Sequence, residues 1–117
     1  NLLFDTGHLA FAGIDPATVL EKYLDRIAHV HLKNVRPNIV QQVRDEGWSF
    51  GQAVRAGVYT VPGDPEGSVD YSPLLERLAE HGYSGWFVIE AEQDPEKANP
   101  KEYATMARHY LKETTGL

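Results

Sequence analysis

The chain contains no cysteine. Disulfides and thiolate metal sites are therefore excluded, although the absence leaves the cellular compartment open. No apolar run approaches the length of a membrane span. No run of lysines and arginines occurs, and the formal net charge is -6. That charge repels phosphate backbones and argues against nucleic-acid binding. There is no low-complexity segment and no visible secretory leader. The sequence opens at Asn1 without an initiator methionine, and a segment lacking its own N-terminus would show no leader. What is present is ordinary for a globular protein: 117 residues, 42% hydrophobic and 24% charged, enough for one small domain with its own core.

Three short apolar runs, Leu2–Phe4, Ile27–Leu32 and Trp86–Ile89, are too short for typical helices and rich in β-branched or bulky side chains. They predict buried strands. Helix starts lie between and after them. Asp15-Pro16 opens a segment with Val19, Leu20, Tyr23 and Leu24 at helical spacing. Ser72-Pro73 opens one with Leu74, Leu75 and Leu78, closed by Gly82. Asn99-Pro100 opens one with Tyr103, Met106, Ala107, Tyr110 and Leu111, closed near Gly116. In each, a capping residue precedes a proline, whose missing N–H costs nothing in the first turn. Asn99 and Glu102 also have capping-box spacing. The connection from Asn34 to Tyr71 is too long for a plain loop. Ile39, Val40 and Val43 suggest a short helix there, Phe50 and Val54 suggest another, and "VPGDPEGSVDY" (61–71) reads as an ordered loop. Strands alternating with helices predict an α/β fold with a parallel sheet.

Each strand ends in a residue able to bind a metal: Asp5, His31 within "IAHVHLKN", and Glu90 within "WFVIEAE". In a parallel sheet the C-terminal strand ends share one edge, and in a closed βα barrel that edge is the active-site face. Side chains alternate across a strand. Ala28, Val30 and Leu32 therefore share a face suited to packing against helices, while His29, His31 and Lys33 share the other. A parallel strand covered on both sides normally reads as continuously apolar, so this polar stripe is informative. Singly, each residue has a bland reading: a strand-end Asp caps a turn, a strand His is a hydrogen-bonded core residue, a Glu is an ion-pair partner. Together, at three equivalent strand ends, they form a candidate ligand set of oxygen and imidazole donors suited to Mn2+, Co2+, Mg2+ or Zn2+. Glu90 and Glu92 have the same parity; Glu90 is preferred because it directly ends the apolar run. His8, read as a loop residue after the first strand, is a candidate to bind substrate or orient a ligand. Lys33 is a candidate to neutralise a substrate oxyanion, against the bland reading of a solvated lysine. Arg36, Asp64, Asp70 and Glu92 are weaker candidates.

The ordered set "FDTGH", "HVHLKN" and "GYSGWFVIE" resembles the C-terminal part of the xylose-isomerase-like, metal-dependent βα-barrel superfamily. The stretches "AHVHLKNVRP", "AVRAGVYTVPGD", "VIEAEQDPEKANP" and "YLKETTGL" narrow the resemblance to members that dehydrate scyllo-inosose (2-keto-myo-inositol) in inositol catabolism. It runs over essentially the whole chain. It implies that residues 1–117 are a single partial domain, about three βα units of an eight-unit TIM barrel. It implies a divalent metal, Mn2+ or Co2+ before Mg2+ or Zn2+, with Asp5, His31 and Glu90 as ligands and a further Glu upstream of Asn1. It implies Glu90, His8 and Lys33 as catalytic residues and His8, Lys33 and Arg36 as contacts to a polyol ketone. A cytoplasmic hydro-lyase, inactive as the isolated piece, is the expectation. The rest of the barrel, or another copy, is expected to cover the open sheet edges. The alternatives are a ketose 3-epimerase or sugar isomerase on the same scaffold, and a non-catalytic binding or assembly domain. A zinc-dependent abasic-site nuclease is disfavoured by the charge.

Overall fold

The computed structural model describes residues 1–116. The elements run β1 (Leu2–Asp5), α1 (Thr6–Phe11), α2 (Pro16–Tyr23), a single 3-10 turn (Leu24–Arg26), β2 (Ile27–Leu32), β3 (Asn34–Val35), α3 (Pro37–Glu46), α4 (Phe50–Arg55), β4 (Tyr59–Thr60), α5 (Ser72–Glu80), β5 (Phe87–Ile89) and α6 (Pro100–Thr115). Strands β1, β2 and β5 form one parallel sheet with β2 in the centre. Their register sets Asp5 beside His31 and His31 beside Val88. The ladder continues one step further, because the Glu90 N–H donates to the Leu32 carbonyl at 3.3 Å. Asp5 and His31 are therefore level, and Glu90 follows two residues beyond the His31 partner at the same sheet edge.

Parity works as the alternation requires. Phe4, Val30 and Leu32 are buried against Leu20, Leu24, Leu74, Leu75, Leu78 and Leu111 of the outer helices and the turn after α2. Each buried aliphatic side chain of this kind contributes about 1.5–3 kcal/mol. Leu3, on the opposite face of β1, stays 50% exposed.

The excursion between β2 and α5 forms a second layer. Strands β3 and β4 pair antiparallel, Asn34 with Thr60 and Val35 with Tyr59. Val35, Val40, Val43, Ala53, Val58 and Tyr59 bury one another there. Helices α3 and α4 are the two expected ones; the strand pair was not expected, since two residues carry no periodicity. The loop at 61–71 is ordered, as its composition predicts. The Asn34 Oδ1 accepts from the Ser68 and Val69 N–H groups at 3.0 and 2.9 Å, and the Gly67 Cα packs so closely on the Asn34 side chain that a Cβ has no room.

Capping explains most of the helix starts, α3 excepted because its N-cap Arg36 makes no side-chain bond, with three adjustments to the expected pattern. Asp15 accepts from the Ala17 N–H, and Asn99 accepts from Lys101 and Glu102. At α5, however, Ser72 lies inside the helix and the N-cap is Tyr71, which makes no side-chain cap bond. Asp70 supplies the acceptor instead, taking the Ser72 N–H at 3.2 Å. The complete reciprocal capping box belongs to Ser49 and Gln52 at α4. The third adjustment is at β1: the residues after it are not a loop but the short helix α1, which carries His8 in its first turn.

Candidate functional site

The site is built around "DTGH". Asp5 ends β1 and caps α1 at once: its Oδ1 accepts from the His8 N–H at 2.9 Å, while its Oδ2 lies 3.5 Å from the His31 Nδ1. The capping role and the candidate ligand role of this aspartate use different oxygens. The buried Thr6 hydroxyl takes the Lys33 N–H at 3.1 Å and donates to the Lys33 carbonyl at 2.7 Å. It thereby fastens the end of β2 to the start of α1. Gly7 has ordinary backbone angles, and its need for no side chain is steric: an added Cβ would stand 2.5 Å from the Lys33 Cγ. His8 then closes over the lysine, its Nε2 2.9 Å from the Lys33 Nζ.

Asp5, His31 and Glu90 each offer one ligand atom, all within 4.8 Å of one another. The His31 Nδ1 lies 2.8 Å from the Glu90 Oε2. Glu92 stays out of this group, its Oε2 3.2 Å from the Lys33 Nζ and 3.7 Å from the His8 Nε2. The structure thus separates two glutamates that strand parity alone leaves equivalent.

Lys33 is the centre of the polar cluster. Expected at best as a strand-end lysine beside substrate, it is fully buried. Its ammonium lies 3.2 Å from Glu90, 3.2 Å from Glu92 and 3.7 Å from Asp5, and 5.0 Å from the centroid of the Tyr59 ring. Burial by itself would raise the Glu90 carboxyl pKa, but the hydrogen bond and charge of Lys33, with His31, hold it below its ordinary value. Three carboxylates surround one ammonium here, with His31 between two of them, so carboxylates outnumber the lysine that faces them. The carboxylate–imidazole donor set suits a divalent cation. The residues present fit a metal.

Tyr59 is the residue that sequence reading missed. Its hydroxyl lies 3.0 Å from the His8 Nδ1, and its ring packs against His8, Phe11 and Phe50. Burial raises its pKa well above the usual tyrosine value, with Glu92 and Asp5 adding to the effect. No local motif marks it; only the pairing of β4 with β3 brings it here. His29 stacks edge-on against His31 at 5.1 Å.

Arg36 is placed differently. Its guanidinium donates to Glu66, the Gly57 carbonyl, Asp64, Thr60 and Tyr103. It knits β3, the 61–71 loop and α6 together, and no contact joins it to the Asp5–His31–Glu90 group. Asp64 belongs to the same knot: burial would raise its pKa, but bonds from Thr60 and the Glu66 N–H and the charge of Arg36 lower it. Asp70 is exposed and caps α5.

Residues 1–114 match the description of the xylose isomerase-like TIM barrel. The chain belongs to that family. The parallel β1–β2–β5 sheet with its outer helices is accordingly part of such a barrel, and the family's strand-end edge carries the cluster just described. Among curated proteins, the chain is 58% identical over its full length to an inosose dehydratase of Geobacillus thermodenitrificans, of which it covers 39%. It is 55% identical over 99% of its length to an inosose dehydratase of Clostridium botulinum, covering 38% of that protein. It is 52% identical over its full length to one of Bacillus thuringiensis, covering 39%. The chain therefore spans about two fifths of the length of these relatives. Among the described residues, no helix is long and apolar enough to cross a membrane.

Proposed function

We propose that this chain supplies the metal-site edge of an inosose dehydratase, a cytoplasmic hydro-lyase that converts scyllo-inosose to a trihydroxycyclohexane-1,2-dione and water. The observation that carries the substrate is the 52–58% identity to proteins of that name across the whole chain. The cluster of Asp5, His31 and Glu90 supports the metal dependence, with Mn2+ or Co2+ the favoured ions.

In this reading Asp5, His31 and Glu90 would hold the ion, with a further carboxylate from the remainder of the barrel. Held there, it would supply Lewis-acid polarisation of the ketone and offset enolate charge. The residues of this chain do the rest. A carboxylate of the site takes the proton from the carbon next to the ketone, and the electron pair forms a C=C bond as the C–O bond of the β-hydroxyl breaks. A proton reaches that oxygen and water leaves. The hydroxyl left on the double bond makes the product an enol, which tautomerises to the 1,2-dione. The Lys33 ammonium, fixed and desolvated, opposes negative charge on a substrate oxygen. Glu92, 3.2 Å from Lys33 and 3.7 Å from His8 and outside the proposed ligand group, would exchange protons in this reading.

The test is substrate choice by the complete enzyme. Ultraviolet absorbance should report the diketone from scyllo-inosose, and free ketoses should emerge without epimers. Epimerised ketoses with no diketone would instead assign the ketose 3-epimerase reading. Turnover of neither, with no divalent-metal binding, would leave a binding or assembly domain.

A further inference from the structure

We propose that Tyr59 is a positioning residue: it holds His8 as the Nδ1–H tautomer and, through that imidazole, aims the Lys33 ammonium at the strand-end carboxylates. This rests on the dehydratase reading only for its effect on turnover.

An ammonium has donors and no acceptor. With the Lys33 Nζ 2.9 Å from the His8 Nε2, that nitrogen must present its lone pair. The ring proton of a neutral imidazole then sits on Nδ1, which is 3.0 Å from the Tyr59 hydroxyl. Tyr59 accepts it, so each nitrogen has one partner of the right polarity. Such a bond to the far ring nitrogen is how proteins commonly set a histidine tautomer.

Tyr59 is well fixed for the task. It is fully buried, its backbone pairs with Val35 across β3–β4, and its ring meets His8 edge-on at 5.2 Å and Phe11 at 5.6 Å. The same ring lies beneath the Lys33 ammonium at 5.0 Å. One side chain thus touches both members of the pair it orders. Removing only its hydroxyl would leave the Nδ1–H without this acceptor. The competing tautomer carries its proton on Nε2 and has an acceptor ready, the Glu92 Oε2 at 3.7 Å. Adopting it would turn an N–H toward Lys33 and deprive the ammonium of its imidazole contact.

The experiment is histidine 15N NMR on the complete enzyme with a diamagnetic ion, Mg2+ or Zn2+, assigning His8 by its loss in a His8→Gln protein. Wild type should show protonated Nδ1 and unprotonated Nε2. Tyr59→Phe, which keeps the ring, should move His8 toward the Nε2–H form. It should also lower kcat for scyllo-inosose about 10–100-fold with KM changed less than about threefold, the range for residues that orient others in a metal site. A wild-type His8 protonated on Nε2, or a Tyr59→Phe protein with unchanged His8 tautomer, would overturn the proposal. So would an unchanged kcat. The wild-type spectrum alone can refute the tautomer, even where Tyr59→Phe does not fold. A wild-type enzyme inert toward scyllo-inosose would strike the dehydratase reading and leave the spectra to decide Tyr59.

Discussion

Lys33 and Arg36 stand three residues apart, and each withdraws a positive charge from water into a nest of carboxylates. Their surroundings differ in kind. Around Arg36 the accounts of donors and acceptors match: Nε meets Glu66, Nη1 the Gly57 carbonyl, and Nη2 Asp64, Thr60 and Tyr103. Asp64 in turn accepts from Thr60 and from the Glu66 N–H. Around Lys33 they do not match, because one ammonium faces Asp5, Glu90 and Glu92 and the His31 Nδ1 faces two of the same carboxylates. A buried cation is therefore no mark of a site by itself. Surplus ligand atoms and surplus charge are, since a fold gains nothing by gathering like charges without a counter-ion.

Substitutions should separate the two regions. The largest effect is expected for Glu90→Gln, which removes a candidate ligand: turnover by the complete enzyme should fall about 1000-fold, or ~4 kcal/mol in the barrier, while its unfolding midpoint in denaturant hardly moves. Near-normal turnover would remove Glu90 from the ligand set. Asp64→Asn should do the reverse, costing about 3 kcal/mol of stability in urea unfolding and leaving kcat of the folded protein intact. Its pH dependence has a definite sign. The folded pKa of Asp64 is lowered, so its contribution is complete above the unfolded value of about 3.9 and is lost as pH falls through the folded value. The stability gap between wild type and Asp64→Asn should therefore close in acid; a gap that widened there would contradict the knot. The smallest effect divides the two oxygens of Asp5. Asp5→Asn should keep the α1 cap and Asp5→Ala should lose it, a difference of about 1 kcal/mol by thermal unfolding, while both weaken metal binding measured by calorimetry.

Much of this contrast was readable in the sequence, and the unread part has physical causes. The apolar runs gave the three sheet strands because burial on one face leaves a strong pattern, although the third begins at Phe87 and not Trp86. Asp5, His31 and Glu90 came together because parallel topology aligns strand ends whatever their separation in sequence. Helix α1 escaped notice because six residues span too few turns for periodicity. The fates of Lys33 and Arg36 were unreadable because each depends on partners brought by other elements: Gly7 and Tyr59 for the lysine, Gly57 through Glu66 and Tyr103 for the arginine. Parity put Lys33 on the correct face of β2 but carried no information about its desolvation. Tyr59 was missed for the same reason.

The most direct test of the central assignment is a metal titration of the complete, chelator-stripped enzyme, following diketone formation from scyllo-inosose as Mn2+ is added. Turnover should be negligible at the start, rise to a plateau at one ion per protein, and stay absent in Glu90→Gln over the same range. Full turnover in the stripped protein, or the same saturating rise in Glu90→Gln, would contradict the assignment of Asp5, His31 and Glu90 as the ligands of a required divalent ion.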